Sequence, residues 1–331
     1  EKELKKEKEL AKVSGDVSKA RQLKKEFDEK LATLREKLNP FEKRIDVKNQ
    51  YERQKSMLEK CGILETLSRG EAGIRGIDGK EYPVPSYEEI SKRMAEKREV
   101  LGKKIEQGFV KLLLVPFGMP LDRLIEKYGD ALKKHGDEGK LFRTKKNADS
   151  AAEAPVPILK LHDDGPVWVW ESYKEADVKG ELVYDPEMFD KEKHKGKTKK
   201  ELLEKKGGWK IFLIEDMPNI PGEGQAKTIG NRTQIDSDGT SIRKHMGTGQ
   251  TIPSADEYLK AQRQESGDPA SPYFQELGMT PEDQIIYAMT HLEETDEVID
   301  DYSGNGRISW NIGAFFKTFG VVPVGGWRAG V

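Results

Sequence analysis

The chain has 331 residues, about twice the length of a typical single domain, so its length favours two or more folding units. Hydrophobic residues make up 35% and charged residues another 35%, which is lean for a globular chain but richer in apolar residues than a fully disordered one. Lys and Arg number 57 against 59 Asp and Glu, which removes the main argument for nucleic-acid binding, and no apolar run approaches the roughly 20 residues of a membrane span.

The first 62 residues carry a helical pattern. Roughly half of residues 1–38 are charged. Apolar residues recur there at alternating spacings of three and four, with one vacancy at Lys24: Val13, Val17, Ala20, Phe27, Leu31, Leu34 and Leu38. Asn39 and Pro40 then indicate the start of a second helix, which ends near Gly62. Residues 1–62 are therefore predicted to form either a helical hairpin or an intermolecular coiled coil through which the chain self-associates, and the pattern leaves both open.

Residues 63–143 are predicted to form a small α+β unit. The Asp78-Gly79 pair indicates a tight turn between two short extended pieces. Ser86 is a candidate N-cap with Glu89 at the reciprocal position of a capping box, and the helix it opens is expected to run to about residue 102 or 108. Residues 120–134 have the apolar spacing of an amphipathic helix.

Residues 144–157 have few bulky apolar groups and are predicted to be a linker to a C-terminal mixed α+β domain over residues 158–331. In that domain, the alternating segment Val167–Trp170 and the apolar segment Trp209–Ile214 favour strands. Residues 217–256 have no helical period, so we expect a long irregular loop there.

Two charged segments of the C-terminal domain have different predicted roles. Residues 191–206 hold eight Lys and three Glu, and we interpret them as a solvated helix or loop rather than a binding patch. Thr280 and Pro281 instead mark the start of a helix, with Glu282 and Asp283 near its positive end. This helix is expected to run to about residue 300.

The sequence contains no recognisable catalytic spacing, so we predict that the protein is not an enzyme. His291 lies on the predicted helix, but the second histidine that a zinc-protease helix needs on the same face is absent from the sequence. The glycines at positions 222, 224, 247 and 249 lack the third glycine of a phosphate-binding fingerprint. Cys61 is the only cysteine, which excludes an internal disulfide and a cysteine-rich zinc site and leaves the cellular compartment open.

Residues 301–309 contain part of the pattern of a calcium-binding loop. Oxygen-bearing side chains fall at positions one, three, five and nine of such a loop: Asp301, Ser303, Asn305 and Ser309. Position twelve is Ile312, where a calcium loop requires a bidentate Glu. We therefore favour a polar turn between a helix and a strand, with a calcium site held by Asp301, Ser303 and Asn305 as the alternative. No other cofactor is predicted.

The end of the chain resembles a known family. The segments Ser309–Phe316, Gly320–Pro323 and Gly326–Val331 are similar to the run that enters the variable region of diversity-generating retroelement target proteins. Three upstream segments resemble hypothetical proteins of uncultured, small-genome bacteria that carry such tails: Leu213–Pro221, Gly278–Asp283 and His291–Thr295.

This resemblance implies a C-type lectin-like fold of the formylglycine-generating-enzyme type, over about residues 208–331. It also implies a non-enzymatic protein that binds a protein or cell-surface ligand through a surface diversified by mutagenic reverse transcription. Trp310 and Trp327 would be core aromatic residues that hold this display surface, and Asn311 would lie near it. The variable positions would lie mostly beyond Val331, so the lectin-like domain is expected to be incomplete here.

A second hypothesis assigns the function to the helical segment, as a coiled-coil structural or scaffolding protein whose C-terminal domain only caps it. The chain starts at Glu1 inside a charged helical pattern and stops at Val331 directly after a hydrophobic run, so we expect a fragment at both ends. The predicted fold class is α+β: an N-terminal helical hairpin or coiled coil, a small α+β middle unit, and an incomplete lectin-like C-terminal domain.

Overall fold

In the computed structural model, the described part of the chain comprises residues 22, 24–27, 29–30, 45–143, 158, 161, 165–215, 222–223, 255–299 and 308–327. These residues form α-helices and several small β-sheets, which confirms the α+β class. Two compact units are present, one of Glu1–Tyr51 with Pro85–Lys111 and a larger one of Glu52–Val84 with Leu112–Val331. The two units do not follow the predicted boundaries at residue 62 and at residues 144–157.

The predicted helical character of the N-terminal segment is confirmed where it is described. Residues 22, 24–27 and 29–30 are helical, and helix α1 spans Val47–Lys60. The second helix does not include Ile45 and Asp46, because Asp46 caps α1 by accepting a hydrogen bond from the Asn49 N–H at 3.0 Å. Asn39 and Pro40 lie outside the described residues, and the choice between hairpin and coiled coil stays a prediction.

A three-stranded antiparallel sheet follows α1, formed by β1 (Glu65–Thr66), β2 (Ala72–Arg75) and β3 (Glu81–Pro83). The predicted Asp78-Gly79 turn joins β2 to β3. Gly79 has a φ of +77°, a backbone conformation that favours glycine, and the Tyr82 hydroxyl donates to Asp78 Oδ2 at 2.8 Å. The turn prediction is therefore confirmed.

The capping box at Ser86 is also confirmed, and it opens helix α2 (Tyr87–Glu96). Ser86 Oγ accepts from the Glu89 N–H at 3.2 Å, and Glu89 Oε2 accepts from the Ser86 N–H at 2.8 Å. The expectation of one helix to residue 102 or 108 is wrong. The backbone leaves the helical conformation at Lys97, and a separate helix, α3, spans Arg98–Glu106.

Strand β4 (Phe109–Val115) and helix α4 (Leu121–Asp137) come next, and α4 confirms the predicted amphipathic helix. Strand β4 lies beside β7 (Lys210–Glu215) in a two-stranded sheet, and β7 confirms the strand predicted at Trp209–Ile214. Because β4 and β7 share a sheet, the segment expected to be a separate middle unit folds partly with the C-terminal segment.

The remaining elements belong to the larger unit. They are a 3₁₀ turn (Glu171–Tyr173), β5 (Leu182–Tyr184), β6 (Lys197–Thr198), α5 (Lys199–Lys206), β8 (Gly222–Glu223), α6 (Ala255–Gly267), α7 (Pro281–Thr295), β9 (Ile308–Trp310), β10 (Ala314–Phe316) and β11 (Val324–Gly325). Two antiparallel three-stranded sheets result, with strand orders β10-β5-β6 and β11-β9-β8. None of the helices described is both long enough and apolar enough to cross a bilayer.

Two predictions in this region are corrected. Val167–Trp170 is not a strand, because it pairs with no strand of the described sheets; Trp168 and Trp170 are 63% and 60% exposed, with ring centroids 4.8 Å apart. Helix α7 ends at Thr295 rather than near residue 300, because Asp296 adopts the left-handed conformation with a φ of 59°. The predicted linker and most of the loop at residues 217–256 lie outside the described residues.

Candidate functional site

The chain after α7 contains the predicted ligand-binding residues, and two of them are buried. Trp310 is 6% exposed and packs in an apolar cluster with Tyr258. Asn311 is 2% exposed, and its Nδ2 donates to Gln284 Oε1 on α7 at 2.6 Å. The Asn311 N–H donates to the Pro323 carbonyl at 2.8 Å, so this residue joins β9, the following turn and α7.

Backbone contacts also attach this tail to the start of α7. The Gly313 N–H donates to the Met279 carbonyl at 2.8 Å, directly before the N-cap residue Thr280. Gly325 on β11 lies so close to Gln284 that a Cβ atom at this position would overlap the Gln284 side chain. A larger residue at position 325 would therefore require the Gln284 amide to move. Together, these contacts fix residues 309–325 on α7.

Three apolar side chains of the tail are exposed. Phe319, Val321 and Val324 are 39%, 37% and 58% exposed. Val324 lies opposite the buried Trp310 in the antiparallel pairing of β11 with β9, so both side chains are on the same face of this sheet, one covered and one open to solvent. The tail therefore combines buried side chains that attach it to the fold with exposed apolar side chains.

The remaining predicted site residues are less informative. Trp327 is half-buried, and its Nε1 is buried without a hydrogen-bond partner in the described part of the chain. Asp301, Ser303 and Asn305 lie outside the described residues, so the calcium alternative stays a prediction. Within the described ranges, no group of three His, Cys, Asp or Glu side chains is placed to hold a metal ion.

Sequence reasoning missed a fully buried ion cluster in the larger unit. Lys199 is the first residue of α5, Asp177 precedes β5, and Glu282 is in the first turn of α7. Lys199 Nζ lies 2.5 Å from Asp177 Oδ2 and 2.8 Å from Glu282 Oε1, and all three side chains are at most 1% exposed. Nζ also donates to the Met119 carbonyl at 2.9 Å.

Polar and aromatic groups surround this cluster. The Tyr184 hydroxyl donates to Glu282 Oε1 at 2.7 Å, and the Leu121 N–H donates to Asp177 Oδ2 at 2.9 Å. The ring centroids of Phe117 and Tyr184 lie 5.4 and 5.8 Å from Lys199 Nζ. Asp177 Oδ1 and Glu282 Oε2 are buried, with no hydrogen-bond partner among the residues described.

Opposing effects set the charges in the cluster. Burial acts to lower the pKa of Lys199, but the carboxylates of Glu282 and Asp177 outweigh it and hold this pKa above its ordinary value. Burial acts to raise the pKa of Glu282, but the Lys199 ammonium outweighs it and holds that pKa below its ordinary value. Lys199 is therefore charged at rest and Glu282 is its carboxylate partner.

The many charged residues of 191–206 led to the prediction that the whole segment is solvated. This prediction is wrong for Lys199, which is fully buried, although the next residue, Lys200, is exposed. A local signal was present: Thr198 and Glu201 form a capping box that fixes Lys199 at the first helical position. Nothing in the sequence near Asp177 indicates that it would meet this lysine.

A third buried carboxylate, Asp283, lies beside the cluster. Asp283 is 3% exposed, and Lys210 Nζ lies 2.6 Å from each of its carboxylate oxygens. Asp283 also accepts from the Thr280 N–H at 2.9 Å, which confirms Thr280 as the N-cap of α7. Burial raises the pKa of Asp283 above its ordinary value, against the opposing effect of Lys210.

His135 on α4 lies between two carboxylates from α7 and the residue after it. His135 Nε2 is 3.3 Å from Glu293 Oε1, and Nδ1 is 3.1 Å from Asp296 Oδ1. The hydrogen bond to Glu293 raises the pKa of His135 above its ordinary value, outweighing the burial that acts to lower it. The imidazole therefore links α4 to α7 and to the residue after it, and these contacts favour its protonated form.

This linkage gives a pH-dependent stability. Because the folded state raises the pKa of His135, its contribution is fully present below about pH 6.5, the value for an unfolded histidine, and is lost as pH rises through the folded pKa. We expect the melting temperature of the His135→Gln variant to fall less than that of the wild type as the pH rises from about 6 to about 8. Thermal unfolding by circular dichroism measures both. Parallel curves for the two proteins would contradict the pairing.

Comparison of the chain with protein-family models, curated proteins and solved structures gives no match. Any assignment of function must therefore rest on the residues of the tail and on the geometry around them. That geometry combines a buried attachment to α7 with exposed apolar side chains.

Proposed function

We propose that the protein is a non-enzymatic ligand-binding and display protein. Its C-terminal lectin-like domain would carry a diversified surface, mostly beyond Val331, that binds a protein or cell-surface ligand. The proposal rests on the resemblance of residues 309–331 to diversity-generating retroelement target proteins. One observation carries it: the tail is attached through buried residues while its exposed side chains are left outside the core.

A binding surface tolerates diversification only where a separately stabilised scaffold supports it. Asn311 and Trp310 meet this requirement, since both are buried and contact α7 or α6 residues. Val324 differs from them, because its backbone is paired opposite Trp310 while 58% of the residue is exposed. The backbone is held by residues other than those that face solvent.

The competing proposal is a coiled-coil scaffolding protein in which residues 1–62 carry the function. A truncation that separates the two should stop before Ile45, because Ile45 and Val47 are buried. Removing residues 1–44 is expected to abolish self-association if the coiled coil forms, and sedimentation velocity measures this. The display proposal requires the truncated chain to keep its folded C-terminal segment.

Paired substitutions in the tail test the display proposal. Asn311→Ala is expected to lower the free energy of unfolding by about 1–3 kcal/mol, because Gln284 Oε1 loses a buried donor. Val324→Ala, Val324→Tyr and Val324→Arg are expected to change it by less than about 0.5 kcal/mol each. Chemical denaturation measures all four. A loss of unfolding free energy in the Val324 series as large as that of Asn311→Ala would contradict the proposal, because the exposed Val324 side chain would then be needed for folding.

A further inference from the structure

The buried cluster brings together the reactants of a condensation. An amine and a carboxyl group are held 2.5 Å apart at Lys199 Nζ and Asp177 Oδ2, and a second carboxylate, Glu282, lies 2.8 Å from the same nitrogen. The carboxyl carbon, Cγ, is bonded to Oδ2, so the nitrogen is also close to the carbon it would attack. Positioning of this kind converts a slow bimolecular step into a fast intramolecular one.

We propose that Lys199 and Asp177 condense to an intramolecular isopeptide bond, with Glu282 as the proton carrier. The proposal is independent of the display function, because it concerns only how this part of the chain is held together. It assigns a use to two carboxylate oxygens, Asp177 Oδ1 and Glu282 Oε2, which are otherwise buried without partners in the described part of the chain.

The steps balance without any added reagent. Glu282 accepts a proton from the Lys199 ammonium and passes it to Oδ1 of Asp177, so that a neutral amine faces a neutral carboxylic acid. Nζ then attacks Cγ, forming the C–N bond as an electron pair moves to Oδ2. A second proton passes from the nitrogen through Glu282 to Oδ1. The electron pair on Oδ2 then re-forms the C=O bond as the C–Oδ1 bond breaks and water leaves. One ammonium and one carboxylate become one amide and one water, and Glu282 returns to its carboxylate form.

The surroundings favour the attack and the loss of water. The Leu121 N–H, at the positive end of α4, donates to Oδ2 at 2.9 Å, where charge develops as Nζ attacks. Phe117 and Tyr184 place aromatic rings around the nitrogen, and the side chains of Lys199, Asp177 and Glu282 are at most 1% exposed, which keeps bulk water away. Exclusion of water also removes the reactant that would reverse the reaction.

The bond would close a loop between residues 22 positions apart in the sequence, which contains β5 and β6. A covalent cross-link of this kind restricts the unfolded chain, as a disulfide does. Cys61 is the only cysteine of the chain, so a disulfide cannot serve this purpose within it. The isopeptide bond would supply the same restriction with no redox dependence.

Mass spectrometry of the full chain under denaturing conditions tests the proposal. The expected result is a mass lower than that of the sequence by one water molecule, together with a branched tryptic peptide that joins Asp177 to Lys199. Aspartate followed by glycine, as at Asp78-Gly79, can also lose water, so the branched peptide is the decisive signal. The full sequence mass, or a water loss located elsewhere, would overturn the proposal.

Three variants assign the roles, with folding checked by circular dichroism. Lys199→Arg and Glu282→Gln are expected to keep their full sequence masses, the first because it lacks the amine and the second because it lacks the proton carrier. Lys200→Arg changes the exposed neighbour and is expected to lose one water, as the wild type does. If Glu282→Gln still forms the branched peptide, the proton-carrier role of Glu282 is overturned.

Discussion

Lys199→Met is expected to lower the free energy of unfolding by about 3–5 kcal/mol, as for other buried ion pairs that lose one partner. The substitution leaves Asp177 and Glu282 buried beside each other with no cation, since each lies within 2.8 Å of Lys199 Nζ in the native protein. It also removes the amine needed for the proposed cross-link, so both effects act in the same direction. Guanidinium denaturation measures the change.

Lys200→Met is the matched control, because it makes the same chemical change one residue further along α5 at an exposed position. We expect its free energy of unfolding to stay within about 0.5 kcal/mol of the wild-type value. Equal effects of the two substitutions would show that Lys199 is not the centre of a buried cluster.

Phe315→Ala is expected to cost about 3–5 kcal/mol, the usual range for removing a buried phenylalanine ring. Phe315 is 0% exposed and lies on β10, opposite Val183 of β5, with its ring centroid 5.4 Å from that of Phe189. The loss combines the apolar area returned to water with the cavity left in a packed interior. The same denaturation experiment measures it.

Phe319→Ala is the control for this prediction. Phe319 is 39% exposed and makes an edge-to-face contact with Tyr173, with ring centroids 4.9 Å apart. We expect a loss of no more than about 1.5 kcal/mol, the upper range for such an aromatic pair. If Phe319→Ala destabilises the protein as much as Phe315→Ala does, the distinction between buried and exposed side chains in the tail is wrong.

The features predicted correctly from the sequence depend on chemistry within a few residues. The capping box at Ser86 needs only a hydroxyl and an acidic side chain three positions later, and the predicted N-cap at Thr280 needs only a hydroxyl at the helix start. The Asp78-Gly79 turn needs only a glycine that can adopt a positive φ. Such signals survive folding because the groups that satisfy them are neighbours in the chain.

The features that were missed depend on contacts between distant segments. Asp177 and Glu282 lie far apart in the sequence, so no local pattern could place both on Lys199. The pairing of β4 with β7, about a hundred residues later, was not indicated for the same reason. Val167–Trp170 has the alternation of a strand, but strand formation needs a partner edge, and the segment lies outside every described sheet.

In the candidate site, the sequence indicated the residues but not their contacts. Trp310 was expected to be a core aromatic, and its burial agrees with that role. The partner of Asn311 could not be predicted, because Gln284 lies on a helix 27 residues earlier. The attachment of the tail to α7 is therefore visible only in the folded chain.

Sequencing the DNA that flanks the reading frame tests the display proposal most directly. The proposal predicts a continuation past Val331 whose codons differ from a nearby repeat almost only at template adenines, beside a gene for a reverse transcriptase. A stop codon directly after Val331 with no repeat nearby would contradict it, and the coiled-coil scaffold would then be the leading hypothesis.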